Sequence, residues 1–277
     1  MSCVRHCADL VTSTERQEPI QKCFRSLEFI SKFIVQSRQL FSRATQGQNE
    51  DGFRMDVHLV FNSFNKMLSI SYETVLPAQI LFLEHISATF PHFLRQMPTL
   101  DLAKLITLMF DSVAKDGQRL MHAKLIAILH AVNSRVFEDD ESRALILPTC
   151  CEHVRNHLVA REELRLCLDI LGDIISFLKK AKDKATKRAK NDSEEPKNEL
   201  DWECPYSRDI NVLVEIIMRP LIEILISMEK EILSTVMVCN RMSGMICCQV
   251  VANRNMVRKV RYIMQVSNLS CTSLNGL

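Results

Sequence analysis

The sequence predicts an all-α protein, a stack of helical repeats of the armadillo or HEAT kind with about eight helices. Three observations carry this. Apolar residues recur at the 3.6-residue spacing of helices along most of the 277 residues. Glycine is scarce, at six, and tyrosine numbers three, whereas sandwiches and barrels need many turns. The expected helix hairpins begin near residues 20, 75, 118 and 162. Their spacing of roughly 43 to 55 brings the later ones close to the repeat length of armadillo and HEAT proteins. Such a repeat cannot bury its apolar face alone, so stacking must supply the core. Sustained heptads, which a coiled coil would need, are lacking.

The first helix is expected from Pro19. Ile20, Phe24, Leu27, Ile30, Ile34 and Phe41 form its apolar stripe, with Phe33 beside them. Lys22, Arg25, Lys32 and Arg38 lie mostly off that stripe. Pro19 suits a first turn, where its missing N–H has no partner to lose. Gly47 provides the stop, because glycine takes a left-handed conformation at little cost. Asn49 is the expected cap of a second helix over residues 51–70, ahead of the acidic pair Glu50 and Asp51. A third helix is expected over 74–94, bent or ended by Pro91. A fourth opens at Pro98-Thr99 and closes at Lys115-Asp116-Gly117.

The fifth helix is expected over 118–137, followed by the acidic connection 138–141. The sixth covers 142–159 with a kink at Pro148. The seventh starts near Arg161 and carries Leu164, Cys167, Leu168, Leu171, Ile174, Ile175 and Leu178 inward. Residues 179–190 then turn densely basic, and acidic residues with Pro196 and Pro205 follow. This composition buries no face, so a solvated helix end and a disordered charged loop are expected. The eighth helix, 207–234, returns to apolar periodicity with Pro220 as a kink.

The domain plan is therefore an irregular N-terminus (1–18), a solenoid (19–184), a charged loop (185–206), a last solenoid helix (207–234) and an irregular, mobile tail (235–277). The tail mixes Asn, Ser, Cys and Met without period. It suggests a truncated or alternatively spliced product.

Two phrases resemble one family. KFIVQSRQLFSRATQGQNEDGFR, Lys32 to Arg54, and SRVFEDDESRALILP, Ser134 to Pro148, are similar to the dedicator-of-cytokinesis (DOCK) family, subgroup B. The similarity spans about Gln17 to Met228 and covers the middle helical region of these large proteins. The phrases are specific through their length and hold no chemical motif. The resemblance implies a scaffold segment of a guanine nucleotide exchange factor for Rac- and Rap-type small GTPases. In such proteins this region separates a lipid-binding first homology region from a catalytic second one. Neither region, nor the Src-homology domain that engages the ELMO scaffold, is expected within this chain. Exchange activity and these partners are thus implied for the full-length family, and the chain alone is expected to be no enzyme.

The residues themselves nominate no chemistry. GxSxG, P-loop and GxGxxG motifs are missing, so no catalytic, cofactor-binding or metal residue is assigned and no cofactor is expected. The nearest metal lookalike is Cys150-Cys151-Glu152-His153 with His157. It lacks a second ligand pair at zinc-site spacing. Cys3, His6 and Cys7 show no recognised spacing either. A net charge of +2 gives no global case for nucleic acid or membrane binding. Eleven irregularly spaced cysteines point to a reducing compartment, and the cytoplasm is the expected location. No run is apolar enough to span a membrane, since Glu215, Arg219 and Glu223 interrupt 210–228. Protein partners are expected, with self-association through uncapped repeat ends as a further expectation. The alternative function is a stand-alone helical-repeat adaptor that binds a peptide or helix of a partner.

Overall fold

The computed structural model describes residues 17–114, 117–191 and 205–239, with residues 258, 261 and 262. Among these, every regular element is a helix. The chain divides into two compact units, residues 1–149 and 150–277.

In the first unit, α1 (Gln17–Arg25) and α2 (Leu27–Ala44) are one helix with a turn at Ser26. Helical bonding continues across it, from Ser26 N to the Lys22 carbonyl and from Ile30 N to the Ser26 carbonyl. Next come α3 (Glu50–Leu68), α4 (Leu76–Ile86), a 3₁₀ turn (Ser87–Thr89) and α5 (Phe90–Phe93). They are followed by α6 (Thr99–Ser112), α7 (Gln118–Val132) and α8 (Arg135–Glu138). α9 (Asp140–Ala160) contains the boundary between the units.

The helices of this unit form two layers. α1, α4 and α7 pack side by side in one, and α3 and α6 in the other. Within a layer the helices run parallel. The Gln17 amide donates to the Thr74 carbonyl at 3.1 Å, bringing the starts of α1 and α4 together. Ala114 N donates to the Leu68 carbonyl at 2.9 Å, joining the ends of α6 and α3. Between the layers lies an aromatic core. The Phe82 ring sits 4.4 Å from Phe64 and 5.4 Å from Phe24, and Phe61 sits 5.8 Å from Phe93. Such tilted and edge-on pairs add to the burial of each ring.

Several expected helices are divided. The third gives way to the 3₁₀ turn before Pro91, which occupies the first turn of α5. Its missing N–H falls where the i−4 bond to Ser87 would form. The fifth ends at Val132. There Asn133 Nδ2 donates to the Leu129 carbonyl and Ser134 Oγ to the Ala131 carbonyl, competing with the helix ladder. α9 begins earlier than expected because Asp139 caps it: its Oδ2 accepts from Ser142 N at 3.0 Å and from Ser142 Oγ at 2.6 Å. α9 then runs unbroken through Pro148.

The second unit contains α10 (Leu164–Asn191) and α11 (Pro205–Cys239), packed on each other. α10 extends through the basic run to Asn191. Cys167, Leu171, Ile174 and Leu178 are buried on α10, and Leu213, Ile217, Leu221 and Ile224 on α11. The expectations for residues 1–16 and 192–204, and for nearly all of the tail, fall outside the described residues.

Candidate functional site

The phrase that carries the family resemblance folds as the α2–α3 corner. Leu27, Ser31, Val35 and Arg38 make the buried face of α2. Arg38, expected off the stripe, is only 9% exposed. Phe33, expected beside the stripe, and Phe41, expected on it, are 73% and 47% exposed. The reason is what Arg38 does. Its Nη2 donates to the Gln48 carbonyl at 2.6 Å and lies 3.2 Å from Glu50 Oε1. Its guanidinium stacks 4.9 Å from the Phe41 ring centroid and 5.6 Å from that of Phe53. A lysine could not match this planar stacking and fork geometry.

The chain returns to Arg38 through left-handed backbone. Gln46, Gly47 and Asn49 have φ of 52°, 84° and 59°. Gly47 N donates to the Ser42 carbonyl at 2.8 Å, closing the end of α2 in the manner of a Schellman motif. The left-handed C′ position is held by Gln46 and not by the expected glycine; Gly47 follows it as the donor of that bond. Asn49 does not cap α3 through its side chain, because its backbone is left-handed and a capping residue is extended. A Cβ at Gly52 would lie 2.1 Å from Asn49 Oδ1, so the Asn49 side chain occupies that space. A hydrogen bond from the Ser42 hydroxyl, helped by the Arg38 and Arg54 charges, holds the Glu50 carboxyl below its usual range; burial works against it. An open polar cleft of about 420 Å³ adjoins the corner, lined by Ser42, Glu50, Arg54, Arg95 and Gln96 among others.

The second phrase folds around another buried arginine. Arg143, 2% exposed, donates through Nη1 to the carbonyls of Phe137 and Glu138 at 3.2 and 3.3 Å. Its Nη2 donates to Asp140 Oδ1 at 2.5 Å. At the α3–α4 corner a buried glutamine plays a similar part. Gln79 Nε2 donates to the carbonyls of Met67, Leu68 and Ile70 at 2.9, 3.3 and 2.8 Å. Helix ends leave such carbonyls without intrahelical partners. Each of these side chains collects them at one corner.

The metal lookalike is largely buried. Cys150 and Cys151 are wholly buried, and His157 Nδ1 faces Glu162 Oε2 at 3.9 Å. Burial pushes the Cys151 thiol well above its ordinary pKa and Cys167 up to about 12. Such thiols are poor ligands and poor nucleophiles. Among the described residues no group of three or more His, Cys, Asp or Glu side chains is placed to hold a metal ion. Cys3, His6 and Cys7 lie outside those residues. Ser87 Oγ lies 3.1 Å from His130 Nδ1 and ties the 3₁₀ turn to α7.

The missed features had a partial signal. Arg38 follows Ser31 by seven and Val35 by three, the spacing of the buried face. Its charge masked that register.

The fold and its corners define a helical-repeat scaffold segment. A family model described as the dedicator of cytokinesis (DOCK) TPR region matches residues 1–193, and the chain belongs to that family. It is 35% identical over 183 residues to "Dedicator of cytokinesis protein 3" of Mus musculus and of Homo sapiens. It is 32% identical over 178 residues to "Dedicator of cytokinesis protein 4" of Homo sapiens. These matches cover 64% and 62% of this chain but 9% of each relative's length. No solved structure matches. The helix starts at Leu76 and Gln118 lie 42 residues apart, a longer repeat than the 34 of ordinary tetratricopeptide hairpins. Among the described residues no helix is long and apolar enough to cross a membrane.

Proposed function

We propose that this chain is a helical spacer of a DOCK-like guanine nucleotide exchange factor. In this reading the exchange surface for Rac- and Rap-type GTPases and the lipid-binding and ELMO-engaging regions lie outside it. The chain carries no chemistry of its own; it sets distances and angles between the regions that do. It works in the cytoplasm, in small-GTPase signalling, through protein partners. The observation that supports this best is the use made of the two family phrases. Each supplies a buried arginine that locks a helix corner, Arg38 on the Gln48 carbonyl and Arg143 on those of Phe137 and Glu138. A spacer needs rigid corners more than it needs reactive groups.

A chimera tests the reading. The region of dedicator of cytokinesis protein 3 that matches this chain is replaced by the corresponding residues of this chain. Nucleotide release from Rac is then followed. Release at the rate of the parent protein is expected. A folded chimera that has lost exchange would contradict a pure spacer.

A further inference from the structure

The outward face of α2 is apolar and cationic together. Phe29, Phe33 and Leu40 are 69%, 73% and 67% exposed. Helical geometry puts them within about 40° of one line, over about 17 Å of axis. Arg25, Lys32 and Arg43, all exposed, fall within about 60° of the same line. The carboxylate of Glu28 sits at the edge of this face, 3.9 Å from His92 Nε2.

Helical spacing sets a notch between the apolar side chains. Phe33, Gln36, Ser37 and Leu40 stand at i, i+3, i+4 and i+7, all exposed. That is the four-residue frame into which a side chain of a facing helix inserts. The small Ser37 on one side of it leaves room for an aliphatic knob.

We propose that this face of α2 docks an acidic amphipathic helix of a partner protein. The apolar side of that helix would fill the notch at Ser37. Its flanking carboxylates would meet Arg25, Lys32 and Arg43. Charge selects this occupant over others. A second copy docking through the same face would bring three cations against three more. An anionic membrane would satisfy the cations, yet Gln36 and Ser37 interrupt the apolar line at its centre, where a bilayer rewards apolar side chains. The inference does not depend on the spacer reading above.

The test uses the full chain and a labelled synthetic helix of about 18 residues, leucine on one face and glutamate on its flanks. Fluorescence anisotropy should show binding that weakens as salt rises from about 0.05 to 0.5 M. The same peptide with lysine for glutamate should bind at least about tenfold more weakly. Phe33→Asp and Ser37→Trp should each cost about tenfold or more, and Met55→Asp, exposed on α3, should change nothing. Both α2 positions are exposed, so circular dichroism should show the variants folded. Failure of the acidic peptide to bind, equal binding of both peptides, or indifference to Phe33→Asp would overturn the proposal. So would anionic vesicles binding the chain in place of the peptide, or a dimer that Phe33→Asp dissolves.

Discussion

Arg143 shows what a single residue contributes here. It is among the largest fully buried side chains, and its guanidinium is spent on two carbonyls and one carboxylate. Removing one partner of such a buried cluster strands the others. Arg143→Met should therefore lower stability by about 3 kcal/mol, read from denaturant midpoints. Arg38→Met should lose a comparable amount, since it frees the Gln48 carbonyl and Glu50 together. Glu50 also sets a pH dependence. Its folded pKa lies below its usual value, so the stability it adds is present above the unfolded carboxyl pKa of about 4.3 and is lost as pH falls through the folded value. The stability gap between wild type and Glu50→Gln should thus be constant near neutrality and shrink below about pH 4. Gln46 holds a left-handed φ of 52° at an exposed position. Gln46→Gly should relieve that strain and raise stability by about 0.5–1 kcal/mol in chemical denaturation.

At the level of elements, helices were easier to foresee than their ends. The stripes on α3, α6 and α10 follow the 3.6 period, and their buried residues are largely those the pattern names. The breaks are different. Ser26, the 3₁₀ turn at Ser87–Thr89 and the Asn133–Ser134 stop each interrupt an otherwise helical pattern. Apolar periodicity does not register a side chain that bonds a carbonyl three or four residues back, and that is how Asn133 and Ser134 stop α7. The corner side chains were hidden for a related reason. Hydropathy reads arginine and glutamine as surface residues; the pattern places Arg38 off the stripe and does not single out Gln79 or Arg143, although each is buried. Gln79 tests the importance of the corners. Gln79→Leu would remove a donor from the carbonyls of Met67, Leu68 and Ile70, of which Met67 and Leu68 keep backbone donors in Ile70 N and Ala114 N. A loss of about 2 kcal/mol is expected, with hydrogen exchange rising first at the end of α3.

For the whole molecule, sequence and structure converge on a stack of helices whose family phrases are architectural. In the first unit the aromatic core of Phe24, Phe61, Phe64, Phe82 and Phe93 joins the layers, and polar clamps hold the α2–α3, α3–α4 and α8–α9 corners. The candidate site was only half legible. The phrases pointed to the right corners, but periodicity could not say that arginines inside them are clamps. It also placed Phe41 on the inward stripe with Phe33 beside it, whereas both are exposed and Arg38 is buried. In the proposed reading this chain positions an exchange machinery without being one. Nucleotide release from Rac and Rap, measured with saturating amounts of this chain alone, tests it most directly. Release at the intrinsic rate of each GTPase is expected. Acceleration of either by the chain alone would contradict it and place an exchange surface on these helices.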